Sequence, residues 1–226
     1  MQWIIEFTVY LYMKHAYINL LFEFSIYQRN GFLFRTLFLS NMVWVMWFTG
    51  LPGCGKTTIA EKVRTILSEK GISARVLQLD EIRKAITPKP KYTEEERDIV
   101  YASLAYMAKL LAEEGVNVII DATANRRRYR DFARSLIPNF AEVFIQAPLS
   151  ICMEREAKRK AKFSPKDIYK KAAGEKAAVP GVNVAYEEPR SAEIEVDTTS
   201  MNLEESARFV ADRILDLEVE TINIVT

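Results

Sequence analysis

Gly50-Leu51-Pro52-Gly53-Cys54-Gly55-Lys56-Thr57-Thr58 decides the fold of this 226-residue chain. The stretch follows the apolar run Val43 to Phe48 and precedes a helical pattern. A Gly-x-x-x-x-Gly-Lys-Thr spacing in that setting predicts a strand, loop and helix that together hold the phosphates of a nucleoside triphosphate. Gly50, Gly53 and Gly55 let the backbone approach phosphate oxygens, so successive amides form an anion nest backed by the dipole of the following helix. Lys56 is placed to reach the β- and γ-phosphates, and the Thr57 hydroxyl to ligate Mg²⁺. Leu51, Pro52, Cys54 and Thr58 complete the expected ATP-binding stretch.

Downstream, apolar strands alternate with amphipathic helices, the pattern of a parallel sheet covered on both faces. Ile59, Val63, Ile66 and Leu67 share a helical face that Gly71 terminates. Ala74 to Leu79 reads as the next strand, ending at Asp80. Thr93 and Glu96 form a capping box for a helix with Val100, Leu104, Met107 and Leu111 on one face. Val116 to Ile120 (ending at Asp121), Glu142 to Gln146 and Ala192 to Val196 supply three further strands. Leu203, Ala207, Val210, Ile214 and Leu217 stripe a terminal helix. The predicted class is α/β, a P-loop NTPase-type three-layer domain with a mostly five-stranded parallel sheet and a mobile lid. It spans residues 42–220, with a tail at 221–226.

Composition excludes several alternatives. A net charge of +1, 27% charged and 49% hydrophobic residues suit a soluble enzyme and give no electrostatic case for a membrane or for bulk nucleic-acid binding. Two cysteines, Cys54 and Cys152, form no disulfide framework, which predicts a reducing, cytoplasmic setting. Residues 1–41 differ from the rest, being rich in aromatic and aliphatic residues. Glu6, Lys14 and Glu23 interrupt them too often for a membrane helix of about 20 apolar residues. They read either as a peripheral helix or as sequence upstream of a true start at Met42 or Met46; the second is favoured because the kinase pattern is complete without them. His15, the single histidine, falls in this segment, so histidine catalysis and a His-based metal site are not expected.

Asp80 and Asp121 stand where open α/β sheets gather ligands, beyond the carboxyl ends of strands. One acid is needed to orient the attacking hydroxyl and one to hold the Mg²⁺ water shell. Lys56, Asp80 and Asp121 are therefore the catalytic candidates, with Thr57 and Asp80 as metal candidates; Asp80 also suits a helix N-cap. Arg83 and Arg97 can grip an anionic substrate. The run Cys152 to Lys160 occupies a lid position, from which Arg155 and Arg159 would neutralise phosphoryl charge. A solvated helix with a Glu154–Lys158 pair is the plainer reading of that run. Arg126, Arg127, Arg128 and Arg130 read as surface charge unless a phosphate-rich substrate meets them.

Several stretches, in order, resemble the adenylyl-sulfate kinase family: Gly50 to Ala60, Leu79-Asp80 with Arg83, Ala147-Pro148-Leu149 with Cys152 and Arg155, Tyr169-Lys-Lys-Ala, and Val179-Pro-Gly-Val-Asn-Val-Ala-Tyr-Glu-Glu-Pro189. The last is far more particular than the phosphate loop. The resemblance implies transfer of the ATP γ-phosphate to the 3′-hydroxyl of adenosine 5′-phosphosulfate, with ATP and Mg²⁺ as cofactors, a small-molecule nucleotide as substrate and a homodimer as the common assembly. It implies that Asp80 matches the second acid of an Asp-Gly-Asp motif near the accepting hydroxyl and metal. Arg83 and Arg97 match substrate-binding arginines, and Tyr92 stands at a substrate-stacking Phe.

Departures concentrate on the acceptor side. Asp-Gly-Asp reads Gln78-Leu79-Asp80, and the Asn and arginines expected after Arg97 are replaced by Val100, Tyr101, Ala102 and Ser103. Ala124-Asn125 replaces a Ser-Pro. Asp121-Ala-Thr-Ala-Asn-Arg-Arg-Arg-Tyr-Arg is similar to the strand end of polynucleotide kinases and the archaeal seryl-tRNA kinase group. A second reading is thus a kinase of another hydroxyl, on nucleic acid, tRNA or a metabolite. A third is a nucleotide-dependent switch with weak hydrolysis, against which the paired acids and lid-like segment weigh.

Overall fold

The run Val45–Thr49 (β1) is buried at every position, as a strand must be when helices cover both faces of its sheet. A computed structural model describes residues 43–159, 163, 167–174 and 177–225, which fall in one compact unit. The N-terminal segment 1–41, with Met42 and His15, lies outside the described residues. From β1 the chain forms α1 (Lys56–Glu69), β2 (Ala74–Gln78), α2 (Leu79–Ile86), α3 (Glu94–Glu113), β3 (Asn117–Asp121) and α4 (Arg127–Leu136). It continues through β4 (Phe140–Gln146), α5 (Leu149–Lys158), α6 (Ile168–Ala173), β5 (Ile194–Asp197) and α7 (Leu203–Val225). The five strands are all parallel, in the order β2-β3-β1-β4-β5.

Side chains of β1 alternate between two cores, as the period of a strand requires. Met46 and Phe48 join Ile59, Val63 and Leu67 of α1 and Val210 and Ile214 of α7. Val45 and Trp47 face the other way, against Val100 and Leu104 of α3 and Tyr129 and Ala133 of α4. The Trp47 indole N–H is satisfied by the Ala122 carbonyl at 3.0 Å. Register then fixes the functional edge: Phe48 pairs with Asp121, and Asp121 with Gln78, so the carboxyl ends of β1, β2 and β3 finish level beside the glycine loop.

Three local expectations are revised. β2 stops at Gln78, and Asp80 lies in the first turn of α2, where a carboxylate complements the helix dipole. The capping box is one-sided: the Glu96 amide donates to Thr93 Oγ1 at 3.2 Å, but the Glu96 carboxylate accepts from the Lys91 amide and Arg83 instead of returning to Thr93. Leu203 of the terminal stripe is exposed, whereas Ala207, Val210 and Ile214 are buried. The Glu154–Lys158 pair forms at 2.6 Å on α5. Lys160, the last residue of the expected lid run, lies outside the described residues. No helix among the described residues is long and apolar enough to cross a membrane.

A buried ion network braces the edge beyond β4. Arg130 of α4 is fully buried and donates through Nε to Glu142 at 2.9 Å, through Nη2 to the Glu187 carbonyl at 2.7 Å, and through Nη1 to the Ala124 carbonyl. Arg134 meets Glu142 and Glu193 from the rim. Removing one partner of such a pair strands the other charge in a low dielectric. Glu142→Ala is therefore expected to destabilise the domain by about 3–5 kcal/mol, read as the shift in a denaturant midpoint.

Candidate active site

The phosphate loop fits its surroundings only because its glycines lack Cβ atoms. Gly53 has φ 85° and Gly50 φ 148°; a Cβ on Gly53 would run into the Cys152 carbonyl, and one on Gly50 into the Ile145 carbonyl. The loop is thereby pressed against the end of β4 and the body of α5. Side chains clamp it from two further directions. The Tyr169 hydroxyl of α6 donates to the Pro52 carbonyl at 2.7 Å, and Arg155 of α5 donates to the Cys54 carbonyl at 3.4 Å and to Thr198 Oγ1 at 2.7 Å. Burial pushes the Tyr169 phenol up, so it stays a donor.

Lys56 and Thr57 open α1, and each has a partner. Lys56 Nζ donates to the Gly50 and Leu51 carbonyls, both at 3.0 Å, which holds the ammonium over the loop. Thr57 Oγ1 donates to Asp121 Oδ2 at 2.6 Å. Burial pushes the Asp121 carboxyl above its ordinary value; the Lys56 ammonium and hydrogen bonds from Thr57 and Gln78 oppose that rise, and nearby Asp80 adds to it. The Thr57 hydroxyl, the expected metal ligand of the loop, is thus bonded to Asp121.

This donor set fits Mg²⁺. The ion prefers a few protein oxygens supplemented by phosphate and water, and Thr57 and Asp121 offer hard oxygen donors at the loop. No cluster of three or more His, Cys, Asp or Glu side chains among the described residues would make an all-protein cage.

Loop residues share a cleft of about 840 Å³ with Asp80, Arg83, Tyr92, Arg97, Asp121 and Arg159, among others. The guanidinium groups of Arg83 and Arg97 lie 5.0 and 5.8 Å from the centre of the Tyr92 ring. Tyr92 has φ 58°, a left-handed backbone that a bulky residue adopts only when its surroundings impose it. Here Arg97 Nε holds the Tyr92 carbonyl at 3.2 Å, and Glu96 accepts from the preceding amide of Lys91 at 2.6 Å. Arg97 reaches on to Asn125 Oδ1 and the Ala178 carbonyl, while Arg83 is fixed by Glu96 at 3.1 Å. Both arginines are buried and positioned before any substrate arrives.

The same site matches known proteins over most of its length. The sequence profile of the family described as Adenylylsulphate kinase covers residues 42–197. The chain belongs to the adenylylsulphate kinase family. It is 38% identical over 173 residues to the adenylyl-sulfate kinase of Rippkaea orientalis, covering 76% of this chain and 91% of that one. It is 36% identical over 173 residues to the corresponding enzyme of Microcystis aeruginosa, again 76% of this chain and 91% of the other. In structure it resembles the Mycobacterium tuberculosis APS kinase in complex with AMPPNP and APS, with a TM-score of 0.68 and 31% identity over 76% of this chain and 98% of that one.

Most of the sequence-predicted residues gather around one cleft, with Pro52, Gly53, Gly55, Lys56, Thr57, Thr58 and Arg155 on the loop side; Gly50, Leu51 and Cys54 lie behind its lining. Sequence reasoning assigned no role to Thr49, Tyr186 and Asn125. Thr49 Oγ1 donates to the Thr123 carbonyl at 2.7 Å and accepts from the Tyr186 hydroxyl at 2.9 Å, which ties the Pro180–Pro189 motif to the ends of β1 and β3. Asn125 Nδ2 donates to the Ala185 carbonyl of the same motif at 3.2 Å. The motif was visible in sequence; its hydrogen-bonding targets were not. Arg126 and Arg128, by contrast, are engaged by Glu94, Glu187 and Asp98. Lys56→Ala removes the loop's ammonium, and phosphoryl transfer should fall by about a hundredfold or more. Near-normal turnover in a coupled ADP-release assay would contradict the phosphate-loop assignment.

Proposed function

We propose that this kinase transfers the γ-phosphate of Mg-ATP to the 3′-hydroxyl of adenosine 5′-phosphosulfate. The observation that carries the acceptor is the Tyr92 ring flanked by the Arg83 and Arg97 guanidinium groups, across the cleft from the phosphate loop. An aromatic plane suits a nucleobase and two fixed cations suit the phosphosulfate charge. In the reaction the 3′-oxygen bonds to the γ-phosphorus as the bond from that phosphorus to the ADP oxygen breaks, and the hydroxyl proton leaves through Asp80 to water. Lys56 offsets charge spread over the transferring group, and Arg155 and Arg159 serve the ATP side. Thr57 and Asp121 would hold Mg²⁺, which when bound would neutralise charge on the ATP phosphates.

The two acids divide the work by position. Asp121 is buried and bonded to Thr57, which suits the metal side. Asp80 acts electrostatically on Tyr92 and Tyr101 as well as on Asp121, which supports a role between the metal and the acceptor. A polynucleotide acceptor is less well supported, because Arg126 and Arg128 are already engaged by carboxylates. A cytoplasmic homodimer completes the reading; the unpaired, buried Cys54 and Cys152 fit a reducing compartment, and light scattering checks the subunit number.

The direct test supplies Mg-ATP with adenosine 5′-phosphosulfate, with 5′-hydroxyl RNA, or with no acceptor. Product from the phosphosulfate alone is the expected result, and phosphorylated RNA without it would favour the second reading. Asp80→Asn should lower turnover by about a hundredfold or more with little change in the Mg²⁺ requirement. Asp121→Asn should instead raise the Mg²⁺ concentration needed for half-maximal ATP binding, measured by titration with a non-hydrolysable analogue. Identical Mg²⁺ titrations for the two variants would refute the division.

A further inference from the structure

We propose that the Tyr101 hydroxyl donates its proton to an oxygen of the bound acceptor nucleotide, making Tyr101 a specificity-determining residue of the acceptor half. The proposal rests on the phosphosulfate reading given above. Tyr101 follows Arg97 by four residues on α3, so the two share one helix face, and both line the cleft. Tyr101 is only 3% exposed. Its ring is immobilised on both sides, stacked on Tyr129 with centroids 4.3 Å apart and tilted against Trp47 at 6.3 Å.

The hydroxyl itself is half used. Its oxygen accepts the Ala124 amide N–H at 3.1 Å, and Ala124 adopts φ 44°, a left-handed turn that directs the amide there. A phenol has one proton to give. Among the described residues no protein atom takes it. A buried donor without an acceptor is costly, and the cleft is where an acceptor would come from. The charged groups that face this hydroxyl are Arg97, Arg83 and Asp80, the residues placed on the acceptor side. Burial pushes the phenol up despite both arginines, so the proton stays in place at neutral pH. Accepting from Ala124 also polarises the O–H bond toward donation.

The position explains how this chain manages without the polar residues expected after Arg97. Tyr101 puts a fixed donor at the cleft wall from the helix turn above Arg97, where a long flexible side chain would have to be ordered on binding. The plainer alternative is that the hydroxyl serves only to brace the Ala124 turn.

Tyr101→Phe keeps the ring stack with Tyr129 and deletes only the hydroxyl. Calorimetric Kd for adenosine 5′-phosphosulfate, steady-state constants for both substrates and thermal melting are compared with the wild type. The expected result is a loss of about 10- to 100-fold in phosphosulfate affinity and in kcat/KM for that substrate, with KM for ATP changed by less than about twofold. A variant that melts earlier but binds phosphosulfate as the wild type does would overturn the proposal and leave the brace. Equal losses on the ATP and phosphosulfate sides would overturn it too, as a general disturbance of the cleft. Wild-type protein that fails to bind phosphosulfate at all would instead sink the reading on which the proposal rests, and this contact with it.

Discussion

The hydrogen bond from the Thr57 hydroxyl to the Asp121 carboxylate, 2.6 Å long, is the constraint on which the site depends. It joins the first turn of α1 to the end of β3, and it exists only because β1 and β3 are parallel neighbours in a register that levels Phe48 with Asp121. Had β2 rather than β3 lain beside β1, Gln78 would have occupied that place. The topology therefore selects which acid meets the loop hydroxyl. Gln78 still sits one strand away, level with Asp121 and hydrogen-bonded to it through its side chain, and the chain turns there into α2 with Asp80 in its first turn.

The donor half was legible in sequence because each of its requirements is local. A glycine spacing, a Lys-Thr pair and an apolar strand before them are contiguous, and the clashes that a Cβ would cause at Gly50 and Gly53 give those glycines their reason. Strand and helix periodicity placed the five strands and both cores. A boundary slipped at Gln78, where the strand pattern of Ala74 to Leu79 runs straight into a helix that starts at Leu79 without a side-chain cap to mark it. Which of two aspartates bonds Thr57 was not legible, since strand order is a long-range property that no local pattern encodes.

The acceptor half resists sequence reading for another reason: its residues act through partners distant in the chain. Arg97 holds Tyr92 five residues back, Asn125 on the β3 loop and the carbonyl of Ala178. Tyr186, inside the most recognisable motif of the chain, works by donating to Thr49 at the end of β1. The motif from Pro180 to Pro189 is thus a strap over the carboxyl edge of the sheet, held by Asn125, Arg130 and Thr49. Its backbone carbonyls do much of the contacting, so residue identity conveys little of what it touches.

That strap also settles the meaning of the arginine run. Four basic residues within Arg126 to Arg130 read as surface charge in sequence, yet Arg130 is wholly buried on Glu142 and the strap, and Arg126 bridges Glu94 to Glu187. A guanidinium paired and desolvated as Arg130 is must give up its partner to take a phosphate, which costs more than it returns unless the replacement is better placed. Arg83 and Arg97 differ because their fixed partners hold them around a ring at the cleft wall, where a further anion can be met without breaking the scaffold. Charge count is therefore a poor guide to substrate here. What separates Arg83 and Arg97 from Arg126, Arg128 and Arg130 is that their anchoring leaves them lining the cleft.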